Sequence, residues 1–227
     1  MAAFTIKLIA TITMLIDHIG FTFSTRPMDF LLFRQIGRIS FPLFVFLIAE
    51  GCLHTKDIKK YMKRLFVFAL ISQIPYFMLT NNIPFALNNL NILFTLFFGV
   101  LLIYLYKLIE GKHILYMLFF KILFVFSYIL ADTISVDYGG LGVTFVLFMY
   151  YCKISKYPRL LASILTVVVM FVLYLPFPTD SYFFAVSLLS IIPMVLYNKT
   201  QGFKKLKLAF YIFYPLHLLV LSLILLM

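Results

Sequence analysis

The chain has 227 residues, of which 64% are hydrophobic and 12% are charged, and its formal net charge is +11. Soluble domains have about 25% charged residues, so this composition excludes a soluble domain and indicates an integral membrane protein. The positive charge does not indicate nucleic-acid binding, because most of the lysines stand in loops between apolar segments.

Apolar segments recur along the whole chain, and a transmembrane helix needs about 20 such residues. We predict nine helices, at 3–23, 32–53, 63–80, 90–108, 114–131, 138–152, 159–176, 181–197 and 208–226. The first lacks the basic start and cleavage site of a signal peptide, so we expect it to remain as an anchor. The sequence predicts an all-α, multi-pass bundle of about nine transmembrane helices, forming a single domain over 1–227 in the cell membrane.

Lysine and arginine are concentrated in every second loop, which predicts the orientation of the chain. The basic loops are 54–64, 107–112, 153–159 and 199–207, whereas 81–89, 132–137 and 176–181 contain neither residue. The first outer loop, with Arg26 and Arg34, is the exception. The positive-inside rule places the N-terminus in the cytoplasm and the C-terminus outside. Cys52 and Cys152 then fall at cytoplasmic helix ends, where we expect free thiols.

Three ionisable residues within the first two helices are the leading site candidates. Asp17, His18 and Arg38 stand in apolar surroundings, where such groups are costly and usually face a bundle interior or a wet cavity. At about 1.5 Å per residue, His18 and Arg38 lie about 7 Å and about 6 Å to the outer side of the helix centres. We therefore expect the three side chains to share one depth, with Asp17 directed to Arg38 rather than to the neighbouring imidazole.

Lys7 belongs to the same helix face as His18. Eleven residues at about 100° each leave the two side chains about 20° apart in angle and about 16 Å apart along the axis. By the same estimate of depth, Lys7 and Glu50 both lie about 9–12 Å to the inner side, so we expect them to approach each other.

Structural roles also fit these residues, and the sequence leaves both interpretations open. Lys7 would then extend to the inner headgroups, and the arginines would anchor the outer interface. An Asp17–Arg38 pair would lock two helices together, and a neutral His18 would hydrogen-bond a neighbouring helix.

Polar residues in later segments are further candidates. Asn91, Asp137 and Tyr138 stand at predicted outer helix ends. Lys121 and His217 stand within predicted spans, and a proline, Pro215, precedes the histidine by two residues. A proline within a helix frees a carbonyl that a histidine or water can satisfy.

Several segments together resemble a known family. They are KLIATITMLIDHIG at 7–20, FRQIGRISFPLFVFLIAEG at 33–51, NILFTL at 91–96, DYGGLGV at 137–143 and FYPLHLL at 213–219. Over nearly its whole length the chain resembles the TraX family, which is named for the F-pilin acetylase of conjugative plasmids. The resemblance implies a wider superfamily of transmembrane acyltransferases, in which a basic residue often precedes the catalytic histidine by eleven positions. Lys7 and His18 match that spacing, with lysine in place of the commoner arginine.

The resemblance implies an acetyltransferase that uses cytosolic acetyl-CoA as co-substrate. His18 would be the general base or a transient acyl carrier, with Asp17 and Arg38 as catalytic neighbours. Residues expected to bind the co-substrate are Lys7, Glu50, Lys60, Arg64 and Lys121. Residues expected to bind the acceptor are Arg34, Asn91, Asp137, Tyr138 and His217. We predict no metal site.

The expected partners are the lipid bilayer, acetyl-CoA and an acceptor, which is a protein N-terminus or a glycan; homo-oligomers are compatible with the sequence. The main alternative is a proton-coupled transporter, because acid, histidine and arginine side chains within a bundle also build proton relays. The chain shows no inverted repeat, a feature of many transporter folds. A non-catalytic assembly protein is the third interpretation.

Overall fold

The computed structural model describes residues 1–80, 89–154, 159–174, 185–203 and 207–227. Its helices are α1 (Ala3–Phe23), α2 (Pro27–Gly37), α3 (Ser40–His54), α4 (Ile58–Thr80), α5 (Ile92–Ile109), α6 (Ile114–Thr133), α7 (Gly139–Ile154), α8 (Arg159–Tyr174), a 3₁₀ segment (Val186–Ser190) that continues into α9 (Ile191–Val195), and α10 (Lys207–Leu225). Within those ranges the only β pairing is an isolated bridge between Leu90 and Val136.

The helices confirm the prediction of an all-α, multi-pass membrane protein. In the described ranges six segments are long and apolar enough to cross a bilayer: α1, the stretch Pro27–His54 that contains α2 and α3, α4, α5, α6 and most of α10. The predicted spans at 138–152, 159–176 and 181–197 correspond to shorter apolar helices. Residues 155–158 and 175–184, where two of those predictions end or begin, lie outside the described residues. The orientation of the termini stays a prediction.

The predicted single helix over 32–53 is interrupted, which corrects the sequence-based boundary. Helix α2 begins earlier, at Pro27, and ends at Gly37; Arg38 and Ile39 form a turn before α3. Glycine is a poor helix former, and Pro42 has no N–H to donate to the carbonyl of Arg38. The helical hydrogen-bond ladder therefore breaks where Arg38 stands.

The described chain forms two compact units, 1–47 with 152–227, and 48–151. In the first unit α1 packs against α2 and α10, and α2 also contacts the 3₁₀ segment. In the second unit α5 packs against both α4 and α6. The prediction of a single domain stays a prediction.

The start of α1 is held by the loop that precedes α10. Ala2 provides no side-chain cap, so the first helical N–H groups need other partners. Ala3 N donates to Thr200 O at 2.8 Å, and Phe4 N donates to Gln201 O at 3.2 Å. The Phe4 ring also packs edge-on against Phe210 of α10, with centroids 5.7 Å apart. These contacts fix α1 beside α10 and so determine which side chains face each other further along the two helices.

Candidate functional site

An acid and two arginines form an ion cluster where α1 meets α2. Asp17 Oδ2 lies 2.6 Å from Arg34 Nη1, and Asp17 Oδ1 lies 3.9 Å from Arg38 Nη2. The three side chains are 14%, 24% and 13% exposed, so the charges are largely buried. Buried charges are tolerated when they are paired. The predicted approach of Asp17 to Arg38 is confirmed, but the shorter contact is to Arg34, which the sequence analysis placed in acceptor binding.

A glycine makes this close approach feasible. A Cβ added to Gly37 would lie 2.1 Å from Asp17 Oδ1 and 2.3 Å from Asp17 Cβ. Gly20, three residues after Asp17 on α1, has the same role toward Phe33 of α2, because an added Cβ would lie 2.1 Å from the phenylalanine Cβ. The two glycines let the backbones of α1 and α2 come close enough for the carboxylate to reach both arginines.

His18, the neighbour of Asp17, faces a different helix. Its Nδ1 lies 2.7 Å from Nε2 of His217 on α10, and the two rings are nearly parallel, with centroids 5.0 Å apart and an interplanar angle of 12°. His18 is partly buried, and His217 is 6% exposed. Both histidines are candidates from the sequence, but nothing in the sequence predicts that they meet.

His217 is oriented by its own helix. Its Nδ1 lies 2.9 Å from the carbonyl oxygen of Phe213, one turn earlier on α10. The Phe213 ring stacks on the same imidazole, with centroids 4.8 Å apart, and the buried Tyr214 packs edge-on against it at 5.5 Å. The carbonyl that Pro215 leaves without its helical donor is that of Tyr211, so the ring bonds a different carbonyl from the one that the proline frees.

Lys7 lies on the face of α1 that carries His18, as the eleven-residue spacing predicts. Its Nζ lies 5.1 Å from the centre of the Phe210 ring, two turns before His217 on α10. Both side chains of α1 therefore face α10. Glu50 belongs to the second unit, where its Oε2 lies 3.4 Å from His54 Nε2. The predicted approach of Lys7 to Glu50 stays a prediction.

Basic residues surround a groove at the start of α4, in the second unit. Its volume is about 520 Å³, and its lining residues are Thr55, Lys56, Asp57, Lys60, Lys63, Arg64, Val67 and Phe68. Asp57 Oδ1 accepts a hydrogen bond from Lys60 N at 2.9 Å, and this bond to the charged form lowers the pKa of the carboxyl. The groove therefore has one acid against four basic side chains. It includes Lys60 and Arg64, the two residues of this loop predicted to bind the co-substrate.

A family model described as TraX protein matches residues 2–225. The chain belongs to the TraX family. The resemblance stated from the sequence motifs is thereby confirmed, and it covers both compact units of this TraX-family protein.

One curated relative is a probable fimbrial assembly protein, FimC of serogroup H1, from Dichelobacter nodosus. It is 33% identical over 108 residues, which are 44% of this chain and 44% of the relative. This TraX-family protein thus spans less than half the length of that relative. No solved structure matches the chain.

Three of the predicted acceptor-binding residues lie in the second unit and have structural contacts there. The side chain of Asn91 caps α5 by accepting from Leu93 N at 3.0 Å, and it donates to Ala69 O of α4 at 2.8 Å. The carbonyl of Asp137 accepts a hydrogen bond from the Thr95 hydroxyl, and Tyr138 has a positive φ of 65° in the turn before α7. Their predicted role in acceptor binding stays a prediction.

Lys121 is exposed on α6 and forms no ion pair among the residues that the structure describes. Its predicted role in co-substrate binding stays a prediction. A lysine that sequence reasoning assigned to a loop is buried instead. Lys153, in the last turn of α7, is only 3% exposed, and its Nζ lies 3.7 Å from the centre of the Phe46 ring. No local sequence signal predicts that this lysine is buried.

Cys52 and Cys152 are free and buried, which confirms the prediction of free thiols.

Proposed function

We propose that this TraX-family protein is a membrane-embedded acetyltransferase that moves the acetyl group of acetyl-CoA to a hydroxyl or amine acceptor at or across the cell membrane. The observation that carries the proposal is the partly buried His18, hydrogen-bonded to a second histidine and adjacent in sequence to a paired carboxylate within a membrane span. Ionisable groups at such a position indicate function. The family resemblance supports the reaction class.

His18 has the chemistry that either acetyl-transfer route needs. As a general base, it removes the proton of the acceptor hydroxyl or amine while that oxygen or nitrogen attacks the thioester carbonyl; the carbon–sulfur bond breaks, and the imidazolium returns the proton to the CoA sulfur. As an acyl carrier, its nitrogen attacks the carbonyl, the carbon–sulfur bond breaks, and CoA leaves as the thiolate from an acetylimidazolium; the acceptor then takes the acetyl group from the ring, and its proton goes to the CoA thiolate.

The cluster of Asp17, Arg34 and Arg38 places two positive charges and one negative charge next to His18 in the chain. The guanidinium groups of Arg34 and Arg38 offer fixed donors for a developing oxyanion or for the acceptor, and fixed donors in a dry site are the largest source of many enzymes' rate enhancement. Asp17 balances the two positive charges and holds the arginines in place.

The basic groove fits the phosphates of CoA. Lysine and arginine are the side chains that recognise phosphate groups, with charge-assisted hydrogen bonds. Lys56, Lys60, Lys63 and Arg64 line it together, and the predicted orientation places it on the cytoplasmic side, where acetyl-CoA is made. We assign the groove to CoA phosphates. Contact with anionic lipid headgroups is the structural alternative for these residues.

The curated relative narrows the acceptor. That relative is a probable fimbrial assembly protein, and the TraX family is named for an F-pilin acetylase. We therefore propose a subunit of a surface filament as the acceptor, modified at its N-terminal amine or on a glycan.

The histidine pair also suits a proton-coupled transporter, since adjacent imidazoles relay protons.

One experiment distinguishes the acetyltransferase from the transporter. Purified protein in nanodiscs is given acetyl-CoA with or without an acceptor peptide or saccharide, and free CoA thiol is measured. The proposal predicts acceptor-dependent thiol release, which His18→Ala abolishes and His113→Asn does not. His113 is an exposed N-cap of α6, and asparagine retains the capping acceptor. No thiol release with any acceptor, together with acceptor-independent proton flux in proteoliposomes, would establish the transporter instead.

A further inference from the structure

His217 lies within hydrogen-bond distance of the His18 imidazole, and the other hydrogen bond of His217 determines whether it donates or accepts there. The Phe213 carbonyl oxygen has no proton to give, so His217 Nδ1, 2.9 Å away, must carry the proton and donate it. A neutral imidazole carries one ring proton, and its other nitrogen is then an acceptor. Nε2 of His217 is therefore the acceptor in the contact with His18.

The position of the proton on His217 determines the position of the proton on His18. Since His217 Nε2 accepts, His18 Nδ1, 2.7 Å away, must donate. In its neutral form His18 then has its lone pair on Nε2, the nitrogen that faces away from His217. The chain of donors thus runs from His18 through His217 to the Phe213 carbonyl.

We propose that His217 is a positioning residue that holds His18 in the tautomer with Nδ1 protonated and Nε2 available for acetyl transfer. This inference rests on the proposed function of His18. Which imidazole nitrogen carries the proton is determined by the hydrogen bond that the other nitrogen makes. The same contact remains when His18 is protonated, because Nδ1 donates in both forms, so a proton can be gained and lost at Nε2 without breaking the pair.

The residues packed around His217 hold its imidazole in one orientation, which supports a role in orienting His18 and not only in filling space. His217 is 6% exposed, the Phe213 ring stacks on it at an interplanar angle of 13°, and Tyr214 packs at its edge, so the imidazole has little freedom to rotate. A base whose ring is oriented by a third group is the arrangement found in hydrolase triads, where the wrong tautomer lowers the rate by about 10⁴-fold. Here the orienting group is a neutral imidazole, itself oriented by a backbone carbonyl.

The direct test is the ¹⁵N spectrum of the histidine rings, recorded in nanodiscs about 1.5 pH units above the ordinary imidazole pKa of about 6.5 and without substrate. The chain has four histidines, and loss of one signal set in His18→Ala assigns that ring. A nitrogen with a lone pair and one with a proton differ widely in shift. We expect a protonated Nδ1 and an unprotonated Nε2 for His18. A protonated Nε2 in the wild-type protein overturns the proposal, whatever the acetyl-transfer assay shows.

Two variants extend the test. His217→Phe keeps a flat ring but no acceptor, so both His18 tautomers should appear and turnover should fall by between about 10-fold and about 10⁴-fold. His217→Gln keeps an acceptor oxygen and should restore the single tautomer and part of the rate. Ser222→Ala is the matched control, since this buried hydroxyl of α10 bonds Leu219 O and should leave the His18 spectrum unchanged. An unchanged spectrum in His217→Phe, or no rescue by glutamine, overturns the proposal. An inactive wild-type protein with the expected spectrum would refute the acetyltransferase function and leave the tautomer assignment standing.

Discussion

The two charged regions of this TraX-family protein differ in balance and burial. The cluster of Asp17, Arg34 and Arg38 pairs an acid with two bases at 14% to 24% exposure, inside a span. In the groove at the start of α4, four basic side chains meet one acid, and the side chain of Lys60 is 83% exposed.

The difference in burial and charge balance suggests different roles: catalysis for the buried cluster, and electrostatic attraction of a ligand for the exposed groove. A buried, paired set is rigid and responds strongly to the loss of one member, because the remaining charge has no water. An exposed set of like charges is tolerant of single losses and sensitive to salt. We therefore expect variants of the first region to change catalysis or folding, and variants of the groove to change only apparent affinity.

The largest expected effect is on turnover. His18→Ala should lower kcat by about 10²–10⁴-fold, the usual cost of losing a general base, and by more if the ring carries the acetyl group. The KM for acetyl-CoA should change little, because the proposed phosphate contacts lie in the groove. The measurement is thiol release at several acetyl-CoA concentrations, with His113→Asn as control. If His18→Ala instead raises the KM for acetyl-CoA and leaves kcat at the wild-type value, His18 binds the co-substrate and does not carry out the chemistry.

The second effect is on stability. Asp17→Asn leaves Arg34 and Arg38 buried without their counter-charge and should reduce the free energy of unfolding by about 3–5 kcal/mol. Asp57→Asn, the same change at the exposed acid of the groove, retains the hydrogen bond from Lys60 N and should have little effect. Reversible unfolding in mixed micelles compares the two. Equal stabilities would mean that the Asp17 cluster is hydrated rather than buried.

The third effect comes from the close approach of α1 and α2. Gly37→Ala and Gly20→Ala both add a methyl group where the nearest atom is 2.1 Å away, and each should cost about 1–3 kcal/mol. Only the first methyl group meets Asp17, whereas the second meets Phe33. At matched stability, Gly37→Ala should lose more turnover than Gly20→Ala. If the two lose the same turnover, the position of the carboxylate has no catalytic consequence.

A smaller effect is expected in the groove. Lys60→Ala and Arg64→Ala should each raise the KM for acetyl-CoA by about 5-fold, since an exposed charge pair contributes up to about 1 kcal/mol. Added salt should reduce the difference from the wild-type protein. Lys112→Ala, an exposed lysine of another predicted cytoplasmic loop, is the control and should leave KM unchanged. An equal effect of all three would indicate general surface charge rather than this groove.

The smallest effect on the protein is expected from single-cysteine substitutions that test the predicted orientation of the chain in the membrane. In a variant with Cys52 and Cys152 replaced by alanine, a single cysteine at Thr133 should react with an impermeant reagent on intact cells, and one at Lys112 should not. Both positions are exposed, and surface substitutions usually change stability by less than about 0.5 kcal/mol. The reverse labelling pattern would place the groove outside, where cytosolic CoA is absent.

The sequence predicts much of the helical fold because the apolar segments are long and the basic loops alternate. It also predicts that Asp17 and Arg38 share a depth, since helical rise is regular. It does not predict the break at Arg38, although Gly37 and Pro42 provide the signal in retrospect.

The contacts of the histidine and arginine side chains depend on tertiary packing. Arg34 and Arg38 are one turn apart, so depth alone cannot decide which lies closer to the carboxylate. His18 and His217 are 199 positions apart in the chain. Only the packing of α1 against α10, held at its start by the loop before α10, brings the two rings together.

The most direct test of the central claim is a cryo-EM map of the protein with a non-transferable acetyl-CoA analogue. If His18 carries out acetyl transfer, the acyl carbonyl carbon should lie about 3–3.5 Å from His18 Nε2, the near-attack range. Density that places the acyl group away from both His18 and the Asp17 cluster would contradict the account.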